Sequence, residues 1–287
     1  MRDITLEELL EAGCHFGHQV TRSNPKARDY IFEARDGIHI IDLVKSKEGL
    51  EEAAVFVKSL ALRPDSNLVI VGTKRQAHPV VAEVFQKAKD AGVSDGLFYV
   101  TQRWIGGLFT NFSEVSKNFK KLEDLEKKLA SPEEKSKYTK KEIGDWETER
   151  QKLENLYGGI RNLKKTPDAL FIIDAKLEEL AIREAIKTGV TTVSIADTNS
   201  DPHIIDYPIP ANDDAVGSIS LILHYIIDAW IEGRKKASQK QEKVEKSTEN
   251  KKPATTEIPA AAKAKAGKQK KSTGDKPLKP VKETKET

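Results

Sequence analysis

The chain has 287 residues, with 48 Lys and Arg against 45 Asp and Glu, and a single cysteine. That length can bury a sizeable core, as one domain with additions or as two. One thiol excludes an intramolecular disulfide framework and fits a reducing compartment. No apolar run approaches the ~20 residues that span a bilayer. The opening MRDITLEELLEAG lacks the apolar block of a signal peptide and is too acidic for a transit peptide, so a cytoplasmic protein with no membrane partner is expected.

Charge is unevenly spread. Residues 234–287 hold 17 Lys and Arg against 7 Asp and Glu, while residues 1–233 hold 31 against 38. A nucleic-acid role for the acidic body therefore requires local basic patches rather than a general positive field.

In chain order, Thr5 followed by Glu8 is a capping box that starts a first helix. The stretch GCHFGHQ then places Cys14 beside His15, with His18 close behind. Zinc would want four ligands, and no second well-spaced Cys/His pair exists, because His39, His78, His203 and His224 are scattered. A cysteine nucleophile needs its histidine close in space, which sequence adjacency does not provide. HFGHQVTRSNPKARDYIF (15–32) reads instead as an irregular, Pro-containing loop. It offers His15, His18, Gln19, Thr21, Arg22, Asn24 and Lys26 to a polar partner.

Strands are expected at 38–43, 67–73, 97–101, 168–174 and 191–197, most of them near-continuous apolar runs rich in Val and Ile, as strands covered on both faces require. Helical patterns lie between them at about 46–62, 75–91 and 176–188, and a last one at about 214–232 begins after the capping run NDD. The alternation implies right-handed crossovers and a parallel α/β sheet sandwiched by helices. Residues 113–163 break it. Val115, Phe119, Leu122, Leu125 and Leu129 form one apolar series, and Ile143, Trp146, Leu153, Leu156, Ile160 and Leu163 form another. With Ser131-Pro132 as a break, these read as an inserted coiled-coil-like hairpin at 113–160. The core is then 1–112 with 161–233. The Lys-rich, aromatic-poor residues 234–287 are expected to be a disordered tail.

Such a sheet often houses nucleotide sites, so an enzyme is the first class to consider. VGTKRQA follows a strand and opens a helix, but it carries one glycine and matches neither phosphate-binding fingerprint. It offers Lys74 and Arg75 at a helix start. DTNSDPHIIDYPIP begins like a calcium loop but has Pro202 where glycine is needed and Pro208 where glutamate is needed, so it is read as turns. Neither a G-x-S-x-G elbow nor an H-E-x-x-H helix occurs. No catalytic residue, metal site or cofactor is expected. TQRWIGGLFTNF adds Gln102, Arg103 and Trp104 beside a glycine pair. Cations, amides and planar groups mixed in this way suit RNA rather than DNA. A nucleotide-dependent enzyme on a doubly wound sheet, and an RNA adaptor acting through the tail, remain as alternatives.

The segments LEAGCHFGHQVTRSNPKARDYIFEARDGIHIIDL, VGTKRQA, RWIGGLFTNF, LENLYGGI, PDALFIID and IADTNSDPHIIDYPIPANDDA run in order from Leu9 to Ala215. In that order they resemble the bacterial ribosomal protein S-two family. The resemblance implies a three-layer α/β sandwich with a five-stranded parallel sheet and a protruding coiled-coil hairpin. It implies a structural, non-catalytic role in the small ribosomal subunit, bound to its rRNA between head and body. It further implies protein neighbours that include protein S-one, which the family helps to dock. Cys14 departs from the small aliphatic residue expected there.

Overall fold

The computed structural model describes residues 2–249, with side chains to residue 239. Helix α1 (Leu6–Glu11) starts at the Thr5–Glu8 capping box as expected. A small antiparallel sheet follows, from β1 (Phe16–Gln19), β2 (Ile31–Arg35) and β3 (Ile38–Ile41), ordered β1-β3-β2. The β2–β3 turn is Asp36-Gly37, both at positive φ (52° and 78°), the conformation that a two-residue hairpin demands and that Asp-Gly supplies.

The main sheet is parallel and five-stranded, ordered β5-β4-β6-β7-β8. Its strands are β4 (Leu68–Val71), β5 (Leu97–Val100), β6 (Ala169–Ile172), β7 (Thr191–Ala196) and β8 (Tyr207–Pro210). The strand count agrees with expectation but the membership does not. Residues 38–43 do not join this sheet: β3 pairs antiparallel with β1 and β2. The fifth place is taken by β8, inside the run read as turns. Proline cannot donate to a ladder, so Pro208 and Pro210 disguise a strand. They are tolerated because β8 lies at the sheet edge, alternating with Tyr207 and Ile209. The 15–32 stretch also proves more ordered than a loop, with β1, two 3-10 turns (Val20–Arg22 and Pro25–Tyr30) and the start of β2.

Alternation along the strands divides the core. Leu68, Ile70, Phe171, Val193, Ile195 and Ile209 face a layer of α2 (Leu43–Ala61), α3 (Ala77–Asp90) and α8 (Val216–Glu249). Val69, Val71, Val100, Leu170 and Ile172 face α7 (Glu179–Thr188), the 104–109 loop and the base of the helical hairpin. At about 1.5–3 kcal/mol per fully buried branched side chain, this two-sided burial is what fixes β4 and β6 at the centre.

The hairpin consists of α4 (Phe112–Ala130), a short α5 (Pro132–Ser136) and α6 (Lys140–Tyr157). The expected break is observed: Ser131 caps α5 and Pro132 occupies its first turn, where a missing N–H costs nothing. Val115, Phe119, Leu122 and Leu125 are buried along α4. Phe119 meets Tyr157 edge-on at 5.6 Å, rooting the hairpin in the second core layer. At ~1.5 Å per residue, α4 is about 28 Å long.

Helix α8 runs through the expected boundary after Gly233. Arg234 is buried, lies 4.6 Å from the Trp230 ring, and donates to the carbonyls of Arg63 (2.7 Å), Pro64 (2.6 Å) and Ser66 (2.5 Å). The low aromatic content of 234–287 concealed this, because one buried arginine ties the helix to the α2–β4 loop. The rest of the expected disordered tail, residues 250–287, lies outside the described residues.

Candidate nucleic-acid interface

A parallel sheet gathers the loops that follow its strands at one end, and the expected RNA-binding residues lie in those loops or against them. Gly13 and Cys14 are stitched to the loop after β8, with their carbonyls accepting from Asn212 Nδ2 (3.2 Å) and Asn212 N (3.0 Å). Cys14 is fully buried and burial pushes its thiol upward, so it is a packed side chain rather than an exposed nucleophile. Gly17 passes so close to the loop after β7 that a Cβ would lie 2.7 Å from Thr198 Cγ2.

His18 is held by that loop on three sides. Its backbone N–H donates to Thr198 Oγ1 (2.9 Å), Nδ1 faces Asp197 Oδ1 (3.1 Å), and Nε2 lies 3.1 Å from Asn199 Nδ2. The Asp197 hydrogen bond raises the imidazole pKa against the opposing effect of burial. Asn24 donates its N–H to the Thr198 carbonyl (2.7 Å), and Lys26 pairs with Asp201 (2.6 Å). These three expected RNA contacts therefore also serve as internal braces.

Lys74 is used in the same way. The order of strand addition reverses between β4 and β6, the point at which α/β sheets open a ligand crevice. Lys74 fills that crevice, with Nζ at 2.7 Å from both Asp213 Oδ1 and Asp214 Oδ1 and 2.9 Å from Asp174 Oδ2. Burial opposes its charge, but the carboxylates outweigh burial and hold the ammonium well above its ordinary value. Burial, then repulsion from Asp174 and Asp197, pushes Asp213 up to about 7. Thr73 hydrogen-bonds the buried Glu178 beside it. A crevice lined by carboxylates and already neutralised by its own lysine repels a nucleotide phosphate. Donor atoms of His18, Asp213 and Asp214 lie within 4.8 Å of one another, a set able to hold a cation only in competition with Lys74.

Trp104 does not act as the planar stacking group expected of it, because its indole is buried. It packs edge-on against Phe109 at 5.0 Å, and its Nε1 lies 3.4 Å from Glu184 Oε1. Glu184 is the positioning group that sequence reasoning missed. Its carboxylate also accepts from the backbone N–H groups of Gly107 (2.7 Å), Phe109 (3.1 Å) and Thr110 (3.4 Å). The signal was available: Glu184 sits among Ala181, Ile182 and Ala185 on the buried face of α7. Clasped this way, the loop leaves Gln102 and Arg103 exposed.

Exposed groups remain on this end. Gln19, Thr21, Arg22, Arg75, Gln102 and Arg103 face solvent, and no side-chain partner engages them among the described residues. His15 is half-buried, burial lowers its pKa, and its ring lies 3.9 Å from that of Phe16. A hollow of about 540 Å³ opens between His18, Arg22, Asn24, Asn199 and Lys176. Lys176 and Asn199 are added to the candidate set by the fold alone. Arg22 and Lys176 bring two cations, and the amides bring donors and acceptors, in a geometry suited to a phosphate–sugar backbone.

The chain is 46% identical over 240 residues to "Small ribosomal subunit protein uS2" of Roseiflexus sp. (strain RS-1), covering 84% of this chain and 88% of that protein. It is 47% identical over 233 residues to the protein of the same name from Geotalea uraniireducens, covering 81% and 88%. Against that of Chloroflexus aurantiacus it is 44% identical over 241 residues, covering 84% and 98%. Residues 9–233 match the family described as Ribosomal protein S2, and the chain belongs to that family.

Proposed function

We propose that this chain docks on small-subunit rRNA through the loops at the carboxyl end of its parallel sheet. Its family makes it a structural protein of the small ribosomal subunit and not an enzyme. The observation that carries the rRNA reading is the division of labour at this end. His18, Asn24, Lys26 and Lys74 brace the loops from within, while Arg22, Arg75, Gln102, Arg103 and Lys176 are left pointing outward. The crevice where a nucleotide-dependent enzyme would bind its substrate is filled by Lys74 and its carboxylates, which disfavours that alternative.

The docked protein lies between head and body of the subunit, in the cytoplasm, with ribosomal proteins as neighbours. The resemblance of the ordered motifs extends the proposal to docking of protein S-one. Co-sedimentation with small subunits tests the first part, and exclusive recovery in the free-protein fraction at gentle salt would refute it. Arg22→Ala with Arg103→Ala removes two exposed cations that brace nothing. Subunit association should weaken by about tenfold with the unfolding midpoint unchanged. Undiminished occupancy would move the interface elsewhere. Loss of protein S-one from subunits depleted of this chain, restored on adding it back, checks the second part.

A further inference from the structure

A large hollow lies at the opposite end of the sheet, away from the loops of the candidate interface. It measures about 830 Å³ and runs along the free edge of β5, between the end of α3 and the loop that returns from the hairpin. Phe85 and Tyr99 line it on one side of the strand, their rings 4.9 Å apart and edge-to-face, and Phe98 lines it on the other. Lys89 and Lys164 stand on its rim, exposed, with no ion pair among the described residues. Arg161 and Lys165 join them: Arg161 hydrogen-bonds Glu126 (3.3 Å) at the surface and lies 3.8 Å from Glu154, and Lys165 lies 3.7 Å from the half-buried Asp168. The side-chain amides of Asn67 and Asn162 open into the same space without a protein partner among the described residues.

Two occupants compete for such a groove, an extended acidic peptide and a nucleic-acid strand. A peptide that adds to a sheet edge takes its affinity from main-chain hydrogen bonds. That route is closed here. Gly96 and Val100 direct their carbonyls to β4, which leaves Leu97 and Tyr99 facing outward. Both outward N–H groups are already used: Leu97 donates to the Ser94 carbonyl and Tyr99 to the Gly159 carbonyl, each at 3.1 Å. Gly159 lies so tightly on the strand that a Cβ would come 2.2 Å from the Tyr99 carbonyl oxygen. The groove therefore offers cations, aromatic surface and free amides, but no free N–H on the outward edge of β5. Those are the groups that hold unpaired nucleotides: lysines on phosphates, rings against bases, amides on base edges.

We propose that this groove binds a single-stranded RNA segment, as a second RNA contact at the amino end of the strands. The inference rests on the reading that the chain docks on RNA, and it adds a site that includes none of the RNA-binding residues expected from sequence; of the quoted motifs only LENLYGGI reaches it, through Gly158 and Gly159. Two aspartates in the lining, Asp65 and Asp95, limit the net charge, so stacking and amide contacts share the binding with the lysines.

The test uses the full-length protein and a short single-stranded RNA carrying 4-thiouridine. Photo-crosslinks should map to peptides containing Phe85, Phe98 or Tyr99. Lys89→Glu with Lys164→Glu should weaken binding of that RNA by about tenfold and flatten the slope of log affinity against log salt by about 1.4, at ~0.7 for each phosphate no longer neutralised. A control pair, Lys127→Glu with Lys187→Glu, makes the same charge change on exposed helix positions away from the groove and should change affinity by less than about threefold. Thermal melts of both double variants should match the parent. Crosslinks confined to other residues would overturn the proposal, as would equal weakening by the two pairs. Displacement of the crosslink by adenosine monophosphate as effectively as by RNA would replace RNA with a free nucleotide, and displacement by poly-glutamate alone would replace it with an acidic peptide. If the parent protein co-sediments with small subunits but the groove is not crosslinked, this inference fails and the preceding one stands. If the parent protein does not co-sediment, the preceding one fails.

Discussion

At the scale of single residues, the candidate interface depends on charged groups that never touch a partner. Glu184 accepts backbone N–H groups on both carboxylate oxygens, Gly107 on one and Phe109 and Thr110 on the other. Glu184→Gln keeps the shape but turns an amide NH₂ toward buried donors, so it should cost about 2–3 kcal/mol in a urea titration. An unchanged midpoint would show that the clasp is dispensable. Asp213 and His18 give the cluster a pH dependence of known sign. Both have folded-state pKa values above their ordinary ones, Asp213 at about 7 through burial and then repulsion, His18 through Asp197. Their contribution to stability is therefore complete below the unfolded values and is lost as pH rises through the folded ones. The unfolding midpoint should fall as pH rises from about 4 to about 7, the interval between the ordinary and the folded value of Asp213, and Asp213→Asn should flatten that fall. A midpoint rising over the same interval would reverse the assignment. Gly17, by contrast, leaves no room for a side chain, and only the fold shows that Thr198 is what it approaches.

At the scale of elements, legibility followed apolar patterning. The hydrophobic runs at β4, β6 and β7, the capping box of α1 and the Ser131-Pro132 break of the hairpin were all readable, because burial and capping are local constraints on residue type. β8 was not, because an edge strand tolerates prolines that would exclude a central one. The end of α8 was not either, because the helix continues on the strength of Arg234 and its three carbonyl acceptors rather than on composition. A chain stopped after Gly233 should be less stable than one stopped after Glu249 by about 2–4 kcal/mol, the order expected when a set of charge-assisted hydrogen bonds is removed. Equal denaturation midpoints would mean that Arg234 contributes nothing net. Because Arg234 belongs to the folded body, a test of the basic tail requires a cut after Glu249, not after Gly233.

At the scale of the whole molecule, an acidic body with cations confined to particular loops should bind its subunit through few phosphate contacts. Log affinity for the subunit should then fall with log salt less steeply than for a uniformly basic protein, with a slope near −0.9 for each phosphate neutralised on duplex RNA, taking the value for duplex DNA as a guide. A chain ending at Glu249 should keep most of its subunit association. Loss of association on that cut would transfer docking to the tail. The amino-acid sequence determined the α/β class, the hairpin insertion and the family, because each rests on hydrophobic period, turn chemistry or ordered motifs within the chain. Tertiary structure alone decided which strands share a sheet, which candidate cations are consumed by internal ion pairs, and that Trp104 faces the core. Those outcomes depend on partners far away in sequence: Lys74 on Asp213, His18 on Asp197, and Trp104 on Glu184. A charged or aromatic residue read alone carries the same signal whether its partner is RNA or another part of its own chain.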